Sequence, residues 1–139
     1  MDLAGDGAAF KSWWARPMTL PPSLFVLSAT AALGVALIVL YGLQRFALIR
    51  WVGPLHGLTG LSGLVLLLLA LRGPPRGAAY GVAGFGTIAA MLLGLAIATG
   101  LVVLTVRRRR GDPMLAIGLH ATLAIFGLVL LAAYASIPG

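Results

Sequence analysis

Two histidines, His56 and His120, are the residues of this chain best suited to chemistry in an apolar setting. Each follows a leucine and opens a similar apolar segment, LHGLTGLSGLVLL at 55–67 and LHATLAIFGLVLL at 119–131. Neutral imidazole is the commonest protein ligand for metals, and an unpaired polar ring in hydrocarbon is costly. The paired placement therefore predicts a functional role for both rings, with metal ligation as the leading interpretation.

The residue types that are missing narrow this chemistry further. The chain has no cysteine, no glutamate and no asparagine, and its three aspartates, Asp2, Asp6 and Asp112, fall outside the apolar segments. This excludes thiolate metal sites and leaves no buried carboxylate for a proton relay or for hydrolysis. A closed zinc site would need two more ligands, whereas haem iron asks the protein for two axial ones. The histidines therefore predict one bis-histidine haem b that transfers single electrons, because protein ligands fill both axial positions.

The elements that must position these histidines are membrane-spanning helices. Of 139 residues, 60% are hydrophobic and 9% are charged, and the mean hydropathy is +1.05. A helix needs about 20 mostly apolar residues to cross a bilayer, and four segments qualify. We expect an all-α, single-domain, up-down four-helix membrane bundle with spans at about 22–41, 52–71, 80–106 and 114–137, preceded by a surface-lying segment over 1–21.

The expected bundle places both histidines at one depth. Counted from the predicted span starts, each lies roughly 6–9 Å below the same membrane face. Helices two and four occupy opposite corners, about 11–14 Å apart along the diagonal. That gap suits a flat macrocycle held edge-on and is too wide for the two rings to touch.

Small residues follow each histidine on its own helix face. His56 shares a face with Gly60 and Gly63, and His120 with Ala124 and Gly127, so these four positions are candidates for lining a porphyrin. Gly94 and Gly100 of helix three are further candidates. The alternative is that they form small-residue seams for helix packing, which are common in membrane bundles.

Polar partners for the candidate haem can also be named. The imidazole N–H groups would donate to backbone carbonyls or to the hydroxyls of Thr59, Ser62, Thr99 or Thr122. Haem propionates favour a cationic partner at headgroup depth, and arginines lie at the same end as both histidines. Arg50 and Arg107 are the candidates among them, although topology alone would explain most of these charges.

The similar segments indicate an internal repeat. At an offset of 64, His56 aligns with His120 and Arg45 with Arg109, while Leu37, Val39 and Leu40 align with Leu101, Val103 and Leu104. This predicts a tandem repeat of a helical hairpin, with a pseudo-two-fold axis along the membrane normal. Each half would supply one histidine.

The positive charges also predict orientation. Six basic residues, Arg45, Arg50 and Arg107–Arg110, lie at one end, and four, Lys11, Arg16, Arg72 and Arg76, lie at the other. By the positive-inside rule the six-charge end faces the cytoplasm, so both termini would be periplasmic in a bacterial inner membrane. We read the net charge of +7 as attraction to lipid headgroups and not as nucleic-acid binding.

In architecture, the layout resembles the diagonal bis-histidine bundles of membrane b-type cytochromes and of the haem-bearing anchor subunits of quinone-linked dehydrogenases. The resemblance implies a quinone and a redox subunit as partners, with the chain an electron-transfer or accessory subunit, alone or in an oligomer. Two histidines allow one haem, whereas two-haem members need four. The alternatives are a structural or assembly subunit with hydrogen-bonded histidines, a chlorophyll-type pigment protein, and a small transporter, for which few polar groups are available.

Overall fold

The computed structural model describes residues 20–109 and 111–137. It contains four long helices, namely α1 (Leu20–Gly42), α2 (Phe46–Ala70), α3 (Phe85–Arg108) and α4 (Met114–Ser136). Each is long and apolar enough to cross a membrane, with mean window hydropathies of 2.4, 1.7, 2.4 and 2.3. The prediction of an all-α four-span membrane bundle is therefore confirmed in its fold class.

The helices form two hairpins. Helices α1 and α2 pack closely along their length, as do α3 and α4, whereas the hairpins meet more sparsely along α1–α4 and α2–α3. The helices that carry His56 and His120 consequently stand at opposite corners, as expected for an up-down bundle.

Two helix boundaries differ appreciably from the predicted spans. Helix α2 starts at Phe46, ahead of the predicted residue 52, and continues through Pro54, which removes one backbone hydrogen bond without ending the helix. Helix α3 starts at Phe85 because a 3₁₀ turn, Ala78–Tyr80, flanked by left-handed glycines, occupies the predicted start. The connection predicted at 72–77 is confirmed as non-α-helical. The predicted surface segment falls on residues outside the described ranges, except that Leu20 and Pro21 already belong to α1.

The core is concentrated in one half of the bundle. The buried helix residues run no further than Leu27 in α1 and Ala96 in α3, and begin only at Gly60 in α2 and Gly127 in α4. Because the hairpins run up and down, all these positions lie toward the α2–α3 connection. The other half ends at the arginine-rich end of the bundle, which carries Arg45, Arg50, Arg107, Arg108 and Arg109. In that half, no helix residue that the structure describes is buried.

In both hairpins, a leucine of the first helix packs onto a glycine of the second helix. A Cβ added at Gly63 would lie 2.7 Å from Cγ of Leu27, and one added at Gly127 would lie 2.8 Å from Cγ of Leu93. Leu67 and Leu131, one turn further along α2 and α4, are both fully buried. The same packing thus occurs in both hairpins, as the repeat predicts, and glycine is required because it allows this close approach of the helices.

Candidate functional site

His56 and His120 meet in the interior between the two hairpins. Their ring centres are 5.9 Å apart and their planes are inclined by 73°, an edge-to-face arrangement, and both side chains are half-buried. The expected common depth is therefore observed. The expectation that the rings are too far apart to touch is wrong, because each imidazole reaches inward from its helix and the two together span the diagonal.

Each ring is held by a backbone carbonyl of the neighbouring helix in its own hairpin. Nδ1 of His56 lies 3.0 Å from the carbonyl oxygen of Thr30, and Nδ1 of His120 lies 2.6 Å from that of Ala96. A carbonyl only accepts hydrogen bonds, so Nδ1 carries the proton and donates it. In a neutral imidazole this leaves the lone pair on Nε2, the nitrogen that would ligate a metal.

A glycine one turn beyond each carbonyl makes room for the ring. A Cβ at Gly34 would lie 3.1 Å from Cε1 of His56, and a Cβ at Gly100 would lie 3.2 Å from Nδ1 of His120. Each glycine follows its carbonyl residue, Thr30 or Ala96, by four positions. Glycine here lets the imidazole approach the neighbouring backbone closely enough to donate.

Sequence reasoning named Gly100 but missed Thr30, Gly34 and Ala96. The sequence carries no clear signal for them, because α1 and α3 have at least as many identical residues at an offset of 64 as at 66. In their contacts, however, α1 and α3 correspond at 66, which pairs Gly34 with Gly100, whereas the histidines of α2 and α4 correspond at 64. An alignment at 64 throughout separates the two glycines.

The three glycines that follow the histidines on their helix faces, Gly60, Gly63 and Gly127, face the neighbouring helix of their own hairpin. Gly63 and Gly127 are covered by the leucines described above, and a Cβ at Gly60 would lie 3.2 Å from Cγ2 of Thr30. Ala124 is half-buried, and a Cβ at Gly94 would touch Leu64 at 4.0 Å. The three glycines, Gly60, Gly63 and Gly127, thus have the packing role that the sequence left open. A macrocycle could lie against them only if the covering side chains moved.

The predicted hydroxyl partners bond to their own helices. Thr59, Ser62, Thr99 and Thr122 each donate to a carbonyl three or four residues earlier. One of these bonds bears on the site, because Thr99 donates to the Ala96 carbonyl that also accepts from His120. Of the two expected kinds of N–H acceptor, the backbone carbonyls are the ones observed.

The candidate arginines lie at the end of the bundle expected from the sequence. Arg50 is exposed on the first part of α2. The guanidinium carbon of Arg107 lies 5.4 Å from the centre of the Tyr41 ring, a cation–π contact that joins the end of α3 to the end of α1. A contact with haem propionates stays a prediction for both residues.

In the neutral form, each of the two imidazoles has a lone pair on Nε2 and an Nδ1–H that donates to a backbone carbonyl. Among the residues described, no group of three or more histidines, cysteines or carboxylates could hold a metal ion. The donor set therefore suits a metal that brings its remaining ligands with it.

Comparison of the chain with models of protein families, with curated proteins and with solved structures finds no match.

Proposed function

We propose that this four-helix membrane protein holds one haem b between His56 and His120 and carries single electrons. The observation that carries the proposal is the pairing of the two rings across the bundle, each with Nδ1 bonded to a backbone carbonyl. Metal-ligating histidines almost always donate their other ring N–H in this way, because the bond fixes the tautomer and the ring orientation.

The spacing of the rings supports the same proposal. A metal held by both Nε2 atoms through bonds of about 2.0–2.1 Å would need these nitrogens within about 4 Å of each other and the ring centres about 6 Å apart. The observed distance between the ring centres is 5.9 Å, and since the rings lie edge to face, the proposal requires them to turn until both Nε2 atoms point toward the metal. A bound haem, held by His56 and His120, would supply the one-electron couple, and two protein ligands would keep oxygen and substrates off the iron.

The sparse contacts between the hairpins would let a flat group enter between them without disrupting either hairpin. Each histidine is fixed within its own hairpin, and the hairpins contact each other sparsely. The half of the bundle toward the arginines also lacks buried helix residues in the described ranges. The proposal requires the side chains around the two rings to give way to the macrocycle while the ring centres keep their spacing, which would preserve the packing of α1 on α2 and of α3 on α4.

A visible spectrum of the detergent-purified protein, expressed with ample haem, tests the proposal. We expect a Soret band with sharp α and β bands on reduction, lost in His56→Ala and in His120→Ala alike. Thr59→Val and Thr122→Val are matched controls, because these hydroxyls bond within their own helices, and both variants should keep the spectrum. A colourless wild-type protein would refute the proposal, and far-red absorbance would indicate a pigment instead.

A structural or assembly subunit is the second candidate, and one observation favours it. The histidines are already hydrogen-bonded, and within the described part of the chain no buried side-chain nitrogen or oxygen lacks a partner. In that case each imidazole ties two helices together and needs no ligand. Both histidine variants would then lower thermal stability in a protein that never binds haem.

We further propose that the arginine-rich end faces the cytoplasm of a bacterial inner membrane, with a quinone and a redox subunit as partners. The positive-inside rule supports the orientation, and the architectural resemblance supports the partners. The chain has no cysteine, so single cysteines report on topology. We expect a membrane-impermeant maleimide to label Gly73→Cys in intact spheroplasts and Asp112→Cys only after lysis. The reverse pattern would invert the orientation.

A further inference from the structure

A groove at the end of the bundle opposite the arginine-rich end suggests a lipid site. It has a volume of about 410 Å³ and is lined by Pro21, Leu24, Phe25, Ser28, Arg76 and Ala135. It lies where α1 passes α4, along one of the sparse contacts between the hairpins, with Arg76 contributed by the α2–α3 connection.

The groove has the depth of a phospholipid headgroup and the start of its acyl chains. Pro21 is the second residue of α1, and Ala135 is the last but one of α4. Ser28 lies eight residues into α1, which corresponds to about 12 Å along the helix axis. The groove therefore runs from the membrane boundary toward the apolar layer, with mostly apolar walls.

Arg76 is held in place at the mouth of this groove. Its backbone N–H donates to the hydroxyl of Tyr134 at 3.1 Å, and its Nη1 donates to the carbonyl of Ala135 at 3.3 Å. Tyr134 is buried, with 3% of its surface exposed, so it is a firm anchor. Gly77, with φ of 69°, turns the chain directly after Arg76, a conformation that favours glycine.

The charge of Arg76 favours an anionic occupant. A guanidinium has five N–H donors, and one of them is used by Ala135, so most remain for an anion. The one carboxylate side chain in the described ranges is Asp112, at the other end of the bundle. A planar guanidinium matches phosphate oxygens with two parallel hydrogen bonds. We propose that this groove binds an anionic phospholipid, with the phosphate on Arg76 and an acyl chain along Leu24 and Phe25.

Lipid titration of the purified full-length chain in mild detergent tests the proposal. The readout is the lipid concentration that gives half of the maximal rise in unfolding temperature. We expect dioleoyl phosphatidylglycerol to act at a concentration about tenfold lower than dioleoyl phosphatidylcholine, because both carry the phosphate but the choline cation of the second competes with Arg76 for it. Inorganic phosphate should give no rise, because it cannot use the apolar walls.

Two variants and a matched control locate the effect. Arg76→Gln should remove the preference for phosphatidylglycerol, while Arg72→Gln, an equal charge change at an exposed position of the same connection, should keep it. Ser28→Leu fills the groove at constant charge and should weaken binding of the anionic lipid about tenfold. Equal responses to the two lipids, a rise with inorganic phosphate, equal losses in the two arginine variants, or unchanged binding in Ser28→Leu would each overturn the proposal.

Discussion

The imidazoles of His56 and His120 lie edge to face, with 5.9 Å between their centres, although they stand on helices at opposite corners of the bundle. Each ring is tied through Nδ1 to the first helix of its own hairpin. The two hairpins therefore present two similarly held rings to each other, and this relationship underlies the proposed haem site.

The glycines beside the rings should be intolerant of a methyl group. Gly34→Ala and Gly100→Ala place a Cβ 3.1 and 3.2 Å from the imidazoles, so each should displace a ring and lower the free energy of unfolding by about 1 kcal/mol. Thermal unfolding of the haem-free protein in detergent measures this. Gly57→Ala and Gly118→Ala are controls, since nothing lies within 4 Å of their Cβ positions. Equal losses in all four variants would refute the assignment.

The leucine-on-glycine contacts should be energetically coupled. Gly63→Ala and Gly127→Ala bring a Cβ within 2.7 and 2.8 Å of Leu27 and Leu93, which should cost about 1–3 kcal/mol through overpacking. Combined with Leu27→Ala or Leu93→Ala respectively, each glycine variant should cost less than when introduced alone, because contacting residues do not behave additively. Double-mutant cycles from unfolding in detergent measure the coupling. If the changes in the free energy of unfolding were strictly additive, these contacts would not hold the two helices of each hairpin together.

The hydroxyl of Tyr134 should stabilise the α2–α3 connection. Tyr134→Phe removes the acceptor of the Arg76 backbone N–H, and leaving that donor without a partner should cost about 1–3 kcal/mol. Tyr80→Phe is the matched control, because Tyr80 is 69% exposed. Thermal unfolding of both variants checks the difference. A loss as large in Tyr80→Phe would argue against a specific role for the Tyr134 hydroxyl.

The architecture could be predicted because hydropathy and length determine it. Four apolar segments with short connections allow few arrangements other than an up-down bundle. The helix ends were less predictable, because α2 extends beyond its apolar segment to Phe46 and continues through Pro54. The length and composition of an apolar segment indicate which part of a helix lies in the membrane. They do not indicate the residue at which the helix itself begins or ends.

The sequence named both histidines of the candidate site but not the contacts that they make. The distance between the rings was overestimated because a helix with its side chains is about 10–12 Å across, so two inward side chains nearly span the diagonal of the bundle. The role of the glycines was open because a shared helix face does not say which neighbour covers it. Gly63 and Gly127 face the adjacent helix, since helices joined by a short connection pack closest.

The most direct test of the haem proposal is a titration of the purified haem-free protein with hemin, followed by visible absorption. The account predicts saturation at one hemin per chain with a six-coordinate low-spin spectrum, and loss of that species in the double variant His56→Ala/His120→Ala. Absorption that rises without an endpoint, or an identical titration in the double variant, would contradict it.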